Sequence, residues 1–222
     1  MNVLEKVIDV IAPHCCVGCG SEGSVLCEAC AQQLPEVAPR CYRCGALSDA
    51  FAACPICRCS SPLIGVWAAT TYDDVAKIAV SRLKFERAQS AAYDIAQAMA
   101  SRITLARRPA IVTHVPTANT RKRQRGYDQA LHIARELAHQ LNMPYASLLA
   151  RIGSARQVGA SGVQRREQLN GAFRPLKPYL IQNADIVLVD DVITTGSTLE
   201  AAARTLQAAG AARVSAAVFA QA

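Results

Sequence analysis

The sequence predicts an α/β protein, a doubly wound and mostly parallel sheet preceded by a small cysteine-rich module. Three observations carry this. From Leu63 onward, apolar strand-like runs alternate with amphipathic helices, the rhythm of a parallel sheet covered on both faces. The run ADIVLVDD, residues 184–191, is almost continuously apolar until its end, as expected of a strand buried on both sides. All ten cysteines lie between Cys15 and Cys59. The 222 residues suffice for one such domain plus an appendage, and a hydrophobic fraction of 51% supports a packed core.

Taken in order, residues 3–11 read as a short amphipathic helix, with Val3, Leu4, Val7, Ile8 and Ile11 at helical spacing. After the cysteines, the composition changes at Ser61-Pro62. This divides the chain into residues 1–62, a short helix and cysteine module, and 63–222, the α/β domain. LIGVWAATTY is strand-like, DDVAKIAVSRLKF and AAYDIAQAMASRI are helical, and AIVTHVP is a strand closed by Pro116. YDQALHIARELAHQL is amphipathic, with Ala130, Leu131, Ala134, Leu137, Ala138 and Leu141 inward. The strand ending at Asp190-Asp191 leads to the helix GSTLEAAARTLQAAG, which stops at Gly210, and RVSAAVFA is the last strand.

The cysteines form four Cys-x-x-Cys pairs: Cys16/Cys19, Cys27/Cys30, Cys41/Cys44 and Cys54/Cys57. The second half repeats the first, and each half opens with Cys-x-x-Cys-Gly, at Gly20 and Gly45. The glycine allows a tight turn that aims both sulfurs at one metal. Four thiolates in a tetrahedron suit structural Zn²⁺, which stabilises a segment too small to bury its own core. Two Zn²⁺ ions are expected, in sequential sites by the repeat or in interleaved ones. Cys15 and Cys59 are left over; Cys15 could compete with Cys16, and His14 is a weaker substitute. Gly18-Cys19-Gly20-x-x-Gly23 matches a dinucleotide fingerprint only formally, because no strand precedes it.

The formal charge of +7 suggests a polyanionic partner. Eight thiolates and two Zn²⁺ would add about −8 and +4, leaving roughly +3, so the argument for nucleic acid weakens. Aromatic residues at 5% offer few stacking platforms for bases. The N-terminus lacks the features of a signal peptide and no stretch reads as membrane-spanning. Clustered cysteines in a reduced, cytoplasmic location favour metal over disulfides.

The most informative stretch is residues 184–202. A buried strand ends in Asp190-Asp191, followed by Thr194-Thr195-Gly196-Ser197-Thr198 and a helix. The carboxyl edge of a parallel sheet is where α/β ligands bind. A helix start offers unpaired N–H groups and a positive dipole end to a phosphate. Gly196 permits close approach, the hydroxyls donate hydrogen bonds, and the paired acids can accept from a diol or stabilise a cationic sugar. A plain capped helix explains one Thr and one Asp, but not the whole set. No Gly-Lys-Ser/Thr occurs, which excludes a Walker loop.

This stretch resembles the phosphoribosyl pyrophosphate (PRPP) loop of type I phosphoribosyltransferases. With the N-terminal cysteines, essentially the whole chain resembles the ComF family (competence protein F, including GntX-like proteins). Leu83-Lys84-Phe85 is similar to that family's LKF element. Val115-Pro116 with Arg125-Gly126-Tyr127-Asp128-Gln129 is similar to its VP…RGFNQ stretch, and Arg165 with Gly171-Ala172-Phe173 to its R..N..GAF stretch. Asp128 and Gln168 stand where the family pattern has Asn.

The resemblance implies a type I phosphoribosyltransferase sheet and a phosphoribosyltransferase activity. Asp190 and Asp191 would be the catalytic pair on the ribose hydroxyls, with Thr194, Thr195, Gly196, Ser197 and Thr198 on the 5′-phosphate. Pro116 and Thr117 would meet pyrophosphate, Mg²⁺ would bridge pyrophosphate and ribose oxygens, and Lys84 and Arg165 are candidate anion contacts. The basic run Arg121, Lys122, Arg123 and Arg125 could close over pyrophosphate, grip single-stranded DNA in a DNA-uptake role, or simply be solvated. His114, His132 and His139 show no evident chemical partner. Tyr127 could stack on a base or pack in the core. Three functions stay open: transfer to an unidentified acceptor, nucleotide or PRPP binding without turnover, and a DNA-binding accessory role.

Overall fold

The computed structural model describes residues 14–85, 88–103, 109–152 and 171–222. The expected helix over 3–11, Arg165 and Gln168 lie outside the described residues.

Two short helices, α1 (Glu28–Gln32) and α2 (Pro55–Arg58), follow directly on Cys27 and Cys54 in the cysteine region. Next come β1 (Val66–Thr71), α3 (Asp74–Phe85), α4 (Ala88–Arg102) and β2 (Ile111–His114). They are followed by α5 (Asn119–Arg125), α6 (Gln129–Gln140), the paired strands β3 (Leu149–Arg151) and β4 (Phe173–Pro175), and the single turn α7 (Pro178–Ile181). The chain closes with β5 (Asp185–Ile193), α8 (Ser197–Ala208) and β6 (Arg213–Gln221). The main sheet has the order β1-β6-β5-β2, and every pairing is parallel.

Side-chain alternation splits the core into two layers. Val187 and Val189 of β5 and Ala217 and Phe219 of β6 face a layer built by α3, α4 and α6. Ile186 and Leu188 of β5 and Val214, Ala216 and Val218 of β6 face α8 and the β3–β4 ribbon. The doubly wound, mostly parallel fold expected from the sequence is the observed one. The central strands are buried on both faces, which is why ADIVLVDD shows no alternation.

Three details go beyond the sequence reading. The β5 strand continues past the acids, with Val192 and Ile193 still paired to Ala220 and Gln221. The basic run forms a helix of its own, α5. The β3–β4 ribbon has strands of three residues each, too short for a period to register.

The cysteine region is sewn to the sheet domain at both ends. Asp94 of α4 is buried, and its Oδ2 accepts from the backbone N–H groups of Val25 (2.6 Å) and Leu26 (3.0 Å). Burial raises the Asp94 carboxyl above its ordinary range, against the pull of those two N–H donors. Val25, Leu26, Ala31 and Leu34 join the same apolar layer as α4. Farther along, Ala52 bridges Gly65 just before β1.

Candidate metal centres and phosphate loop

The two cysteine halves fold as repeated knuckles. Gly20 N–H donates to the Cys16 carbonyl and Gly45 N–H to the Cys41 carbonyl, each at 2.8 Å. Both glycines sit at left-handed φ, 76° and 73°, so the turn needs them. Cys16, Cys19, Cys27 and Cys30 gather in one group and Cys41, Cys44, Cys54 and Cys57 in another, all Sγ atoms of a group within 4.8 Å of one another. The grouping is sequential, and each set can hold a metal ion.

The donor geometry fits a tetrahedral thiolate site. With metal–sulfur bonds of about 2.3 Å, sulfurs at the corners of a tetrahedron lie about 3.8 Å apart. Cys19 and Cys27 Sγ are 3.7 Å apart, and Cys44 and Cys54 Sγ 3.6 Å. Cys19 is held down to about 6 by the Ser21 hydroxyl and backbone and by its neighbouring cysteines. Cys30 is pushed up to about 12, chiefly by its hydrogen bond with Cys27. Cys15 and Cys59 are exposed and outside both groups. His14 points elsewhere, its Nε2 2.7 Å from Ser90 Oγ.

The phosphate-loop candidates sit at the carboxyl edge of the main sheet. Asp190 and Asp191 follow the continuously buried run of β5, residues 186–189, and both are half-buried. Asp191 N–H donates to Asp190 Oδ1 at 2.9 Å, and Val192 N–H to Asp191 Oδ1 at 2.8 Å. Burial, reinforced by the adjacent Asp191 charge, holds the Asp190 carboxyl well above the usual carboxylate range. The residue as a whole is half-buried, and desolvation of its carboxyl is the largest cause of the shift.

Thr194 and Thr195 are exposed, Ser197 and Thr198 half-buried and Gly196 buried. Gly196 is the N-cap of α8 at φ 72°, and the Ser197 N–H of the first turn donates to Thr195 Oγ1 at 3.5 Å. Thr195 Oγ1 and Ser197 Oγ are 2.9 Å apart. Apart from that contact, the first-turn amides of α8 lie outside the helix ladder, as donors at the loop.

Strand β2 lies beside β5, with His114 in register with Val189 and Val115 N–H donating to the Val189 carbonyl at 3.0 Å. Pro116 and Thr117 therefore emerge at the same edge as the acids. Their turn is fixed from behind: Asp128, buried, accepts from Thr117 N–H and Thr117 Oγ1, both at 3.0 Å, and caps α6 through Leu131 N–H. Asp128→Ala is expected to cost about 2 kcal/mol, as a lost cap and lost hydrogen bonds to a buried carboxylate. Asp128→Asn keeps an acceptor for Thr117 N–H and should cost less than half of that. Urea unfolding midpoints check both; equal losses would contradict this role.

Other candidates are placed differently. Lys122 and Arg123 are exposed on α5, and Arg125 donates to Gln129 Oε1 at 3.1 Å. Lys84 and Arg121 lie within α3 and α5. His114 is buried, its Nδ1 2.9 Å from the Tyr145 hydroxyl, and burial lowers its pKa. Tyr127 donates its hydroxyl to the Leu83 carbonyl and meets His132 edge-on, so it ties the turn before α6 to α3.

Sequence reasoning missed Tyr42, Arg43 and Glu200. Arg43 Nε donates to Glu200 Oε1 at 2.6 Å and its Nη2 to Oε2 at 3.3 Å; the Tyr42 hydroxyl donates to Oε1 at 3.0 Å. The available signal was a lone acid, Glu200, set among the apolar positions of a helix start.

Among the described residues, no helix is long and apolar enough to cross a membrane. A family model, "Phosphoribosyl transferase domain", matches residues 127–222. The chain is 31% identical over 200 residues to the DNA utilization protein YhgH of Salmonella typhimurium (strain LT2), covering 85% of this chain and 87% of that protein. It is 30% identical over 205 residues to competence protein F of Haemophilus influenzae (strain Rd), covering 83% and 85%. Among solved structures, the glutamine PRPP amidotransferase from B. subtilis, complexed with ADP and GMP, is similar at a TM-score of 0.42 and 21% identity, over 59% of this chain and 26% of that one.

Proposed function

Because the chain belongs to the ComF (competence protein F) family, we propose that it binds PRPP at the β5–α8 loop and transfers the phosphoribosyl group to an acceptor. One observation carries the reading. Two adjacent carboxylates, a hydroxyl-rich turn with a buried glycine and the Pro116-Thr117 turn converge on one edge of a parallel sheet. A capped helix alone needs none of the rest.

Thr194, Thr195, Gly196, Ser197 and Thr198 hold the 5′-phosphate through hydroxyls and first-turn amides of α8. Asp190 and Asp191 accept from the ribose 2′ and 3′ hydroxyls, and Pro116 and Thr117 flank pyrophosphate. The carboxylates are hard oxygen donors of the kind Mg²⁺ takes; Asp190 and Asp191 would help hold the ion, which would supply positive charge to the leaving group. In the transfer, the bond from the anomeric carbon to pyrophosphate breaks and its electron pair leaves with pyrophosphate. A lone pair of the acceptor forms the new bond, and the acceptor's proton passes to solvent. When ionised, the paired acids face the positive charge that develops on the sugar. Residues 1–62 are a module with two structural Zn²⁺ sites, and 63–222 the phosphoribosyl domain.

The test is pyrophosphate release from PRPP with Mg²⁺ in the presence of a panel of bases, nucleosides and amines. Steady release with one acceptor is expected. Ligand-induced stabilisation without release from any acceptor would reduce the function to binding.

A second reading rests on the exposed Lys122 and Arg123 of α5 and on relatives named for competence and DNA utilization. Here α5 grips the backbone of single-stranded DNA in an uptake role. Titration with a single-stranded oligonucleotide at two salt concentrations tests it: affinity that falls with salt and with Lys122→Ala and Arg123→Ala supports this reading, and no binding removes it.

A further inference from the structure

The second cysteine knuckle reaches the candidate phosphate loop directly. Tyr42 and Arg43 are the two residues between Cys41 and Cys44, so their backbone is fixed by two members of one metal-ligating group. Glu200, 7% exposed, lies in the first turn of α8. Its carboxylate takes Arg43 through two nitrogens, the Tyr42 hydroxyl, and Arg204 Nη2 at 2.7 Å. Two guanidinium groups on one carboxylate more than neutralise it, so α8 presents no net negative charge there.

The other side of the clamp is equally tied. Arg43 Nη1 donates to Ser60 Oγ at 2.7 Å, and the Tyr42 hydroxyl lies 2.6 Å from Ser61 Oγ. The Tyr42 ring forms a roof over the loop: a Cβ on Gly196 would sit 3.1 Å from one ring carbon and 3.2 Å from the next. Glu200 N–H donates to the Gly196 carbonyl at 2.9 Å, so fixing Glu200 fixes the N-cap of α8. A free-standing structural module would have no need of a paired cation and an aromatic roof aimed at this one turn.

We propose that Tyr42 and Arg43 are positioning residues of the phosphate loop, so that metal loading at Cys41, Cys44, Cys54 and Cys57 sets the loop's affinity for a ribose phosphate ester. The affinity part rests on the phosphoribosyl reading above. The ordering of the loop does not. The first group is anchored to α4 through Asp94 and has no such route to Gly196 among the described residues.

The experiment compares wild type with Arg43→Ala, Tyr42→Leu and Arg43→Lys in the full chain. Metal content is measured by mass spectrometry, amide hydrogen exchange over residues 194–199 is followed, and PRPP with Mg²⁺ is titrated. Arg43→Ala and Tyr42→Leu are expected to keep the wild-type metal content, speed exchange about tenfold and weaken PRPP about tenfold, the loss of a charge-assisted or buried hydrogen bond. Arg43→Lys, which keeps the charge but not the paired donors, should recover part of the loss. Cys19→Ser, at the first group, should lose one metal and leave exchange at 194–199 unchanged, whereas Cys44→Ser, at the second, should lose the other metal and speed it. Wild-type exchange in Arg43→Ala and Tyr42→Leu at full metal content would overturn the proposal. If wild type fails to bind PRPP, the phosphoribosyl reading falls, and the exchange comparison alone decides whether the knuckle orders the loop.

Discussion

Asp190→Asn is expected to raise the thermal stability of the ligand-free protein while weakening Mg²⁺-dependent PRPP binding about 10- to 100-fold, the range for hydrogen bonds to a charged group. The reasoning starts from the folded-state carboxyl, held well above its ordinary range by burial and then by Asp191. The unfolded chain gives up this proton near pH 3.9, the folded chain only at higher pH. The group's contribution to stability is therefore fully present below the unfolded value and is lost as pH rises toward the folded one. Asn carries no such penalty and keeps the Oδ1 that accepts from Asp191 N–H. The gain should be largest at neutral pH and vanish below about pH 4. Binding moves the opposite way: an ionised carboxylate accepts from ribose hydroxyls more strongly than a neutral one and attracts Mg²⁺, so wild-type affinity should rise with pH. Calorimetric scans and binding titrations across the pH range check both. A variant less stable than wild type at neutral pH would contradict the burial argument.

Stripping both metal groups with a strong chelator under reducing conditions is expected to lower the thermal midpoint by about 10–20 °C, from roughly 5 kcal/mol at 2–4 °C per kcal/mol for a chain of this size. The cysteine region has little apolar interior of its own, and its buried residues Val25, Leu26, Ala31 and Leu34 contribute to the layer over α4. Without metal the knuckles lose the constraint that presents those residues, and Asp94 loses its backbone donors. An uncompensated buried carboxyl adds to the cost. Restoring Zn²⁺ should return the midpoint. An unchanged midpoint after verified metal loss would mean that the region folds on packing alone.

How much of this was legible in the sequence depends on how local each feature is. The Cys-x-x-Cys-Gly knuckles and the Asp190-to-Thr198 loop were readable because their residues are contiguous and each has a distinct chemical use. The choice between sequential and interleaved cysteine groups was not, since four equivalent pairs can combine either way until the intervening chain folds. The central strands announced themselves by unbroken apolar runs, whereas the three-residue strands β3 and β4 carry no period. The Arg43–Glu200 pair joins positions 157 apart and the Val25–Asp94 bond positions 69 apart, and no local pattern encodes such contacts. Residues 119–125, which include the basic run, carry no helical signal because seven polar residues give no apolar stripe, yet they form α5.

The measurement that bears most directly on the central claim is isothermal titration of the fully metal-loaded protein with PRPP, with and without Mg²⁺. The expected result is one site per chain with a dissociation constant of about 1 μM to 1 mM with Mg²⁺, substantially weakened without it and by Asp190→Asn. The contradictory result is no binding of PRPP or ribose 5-phosphate by a protein that carries its metal and unfolds cooperatively.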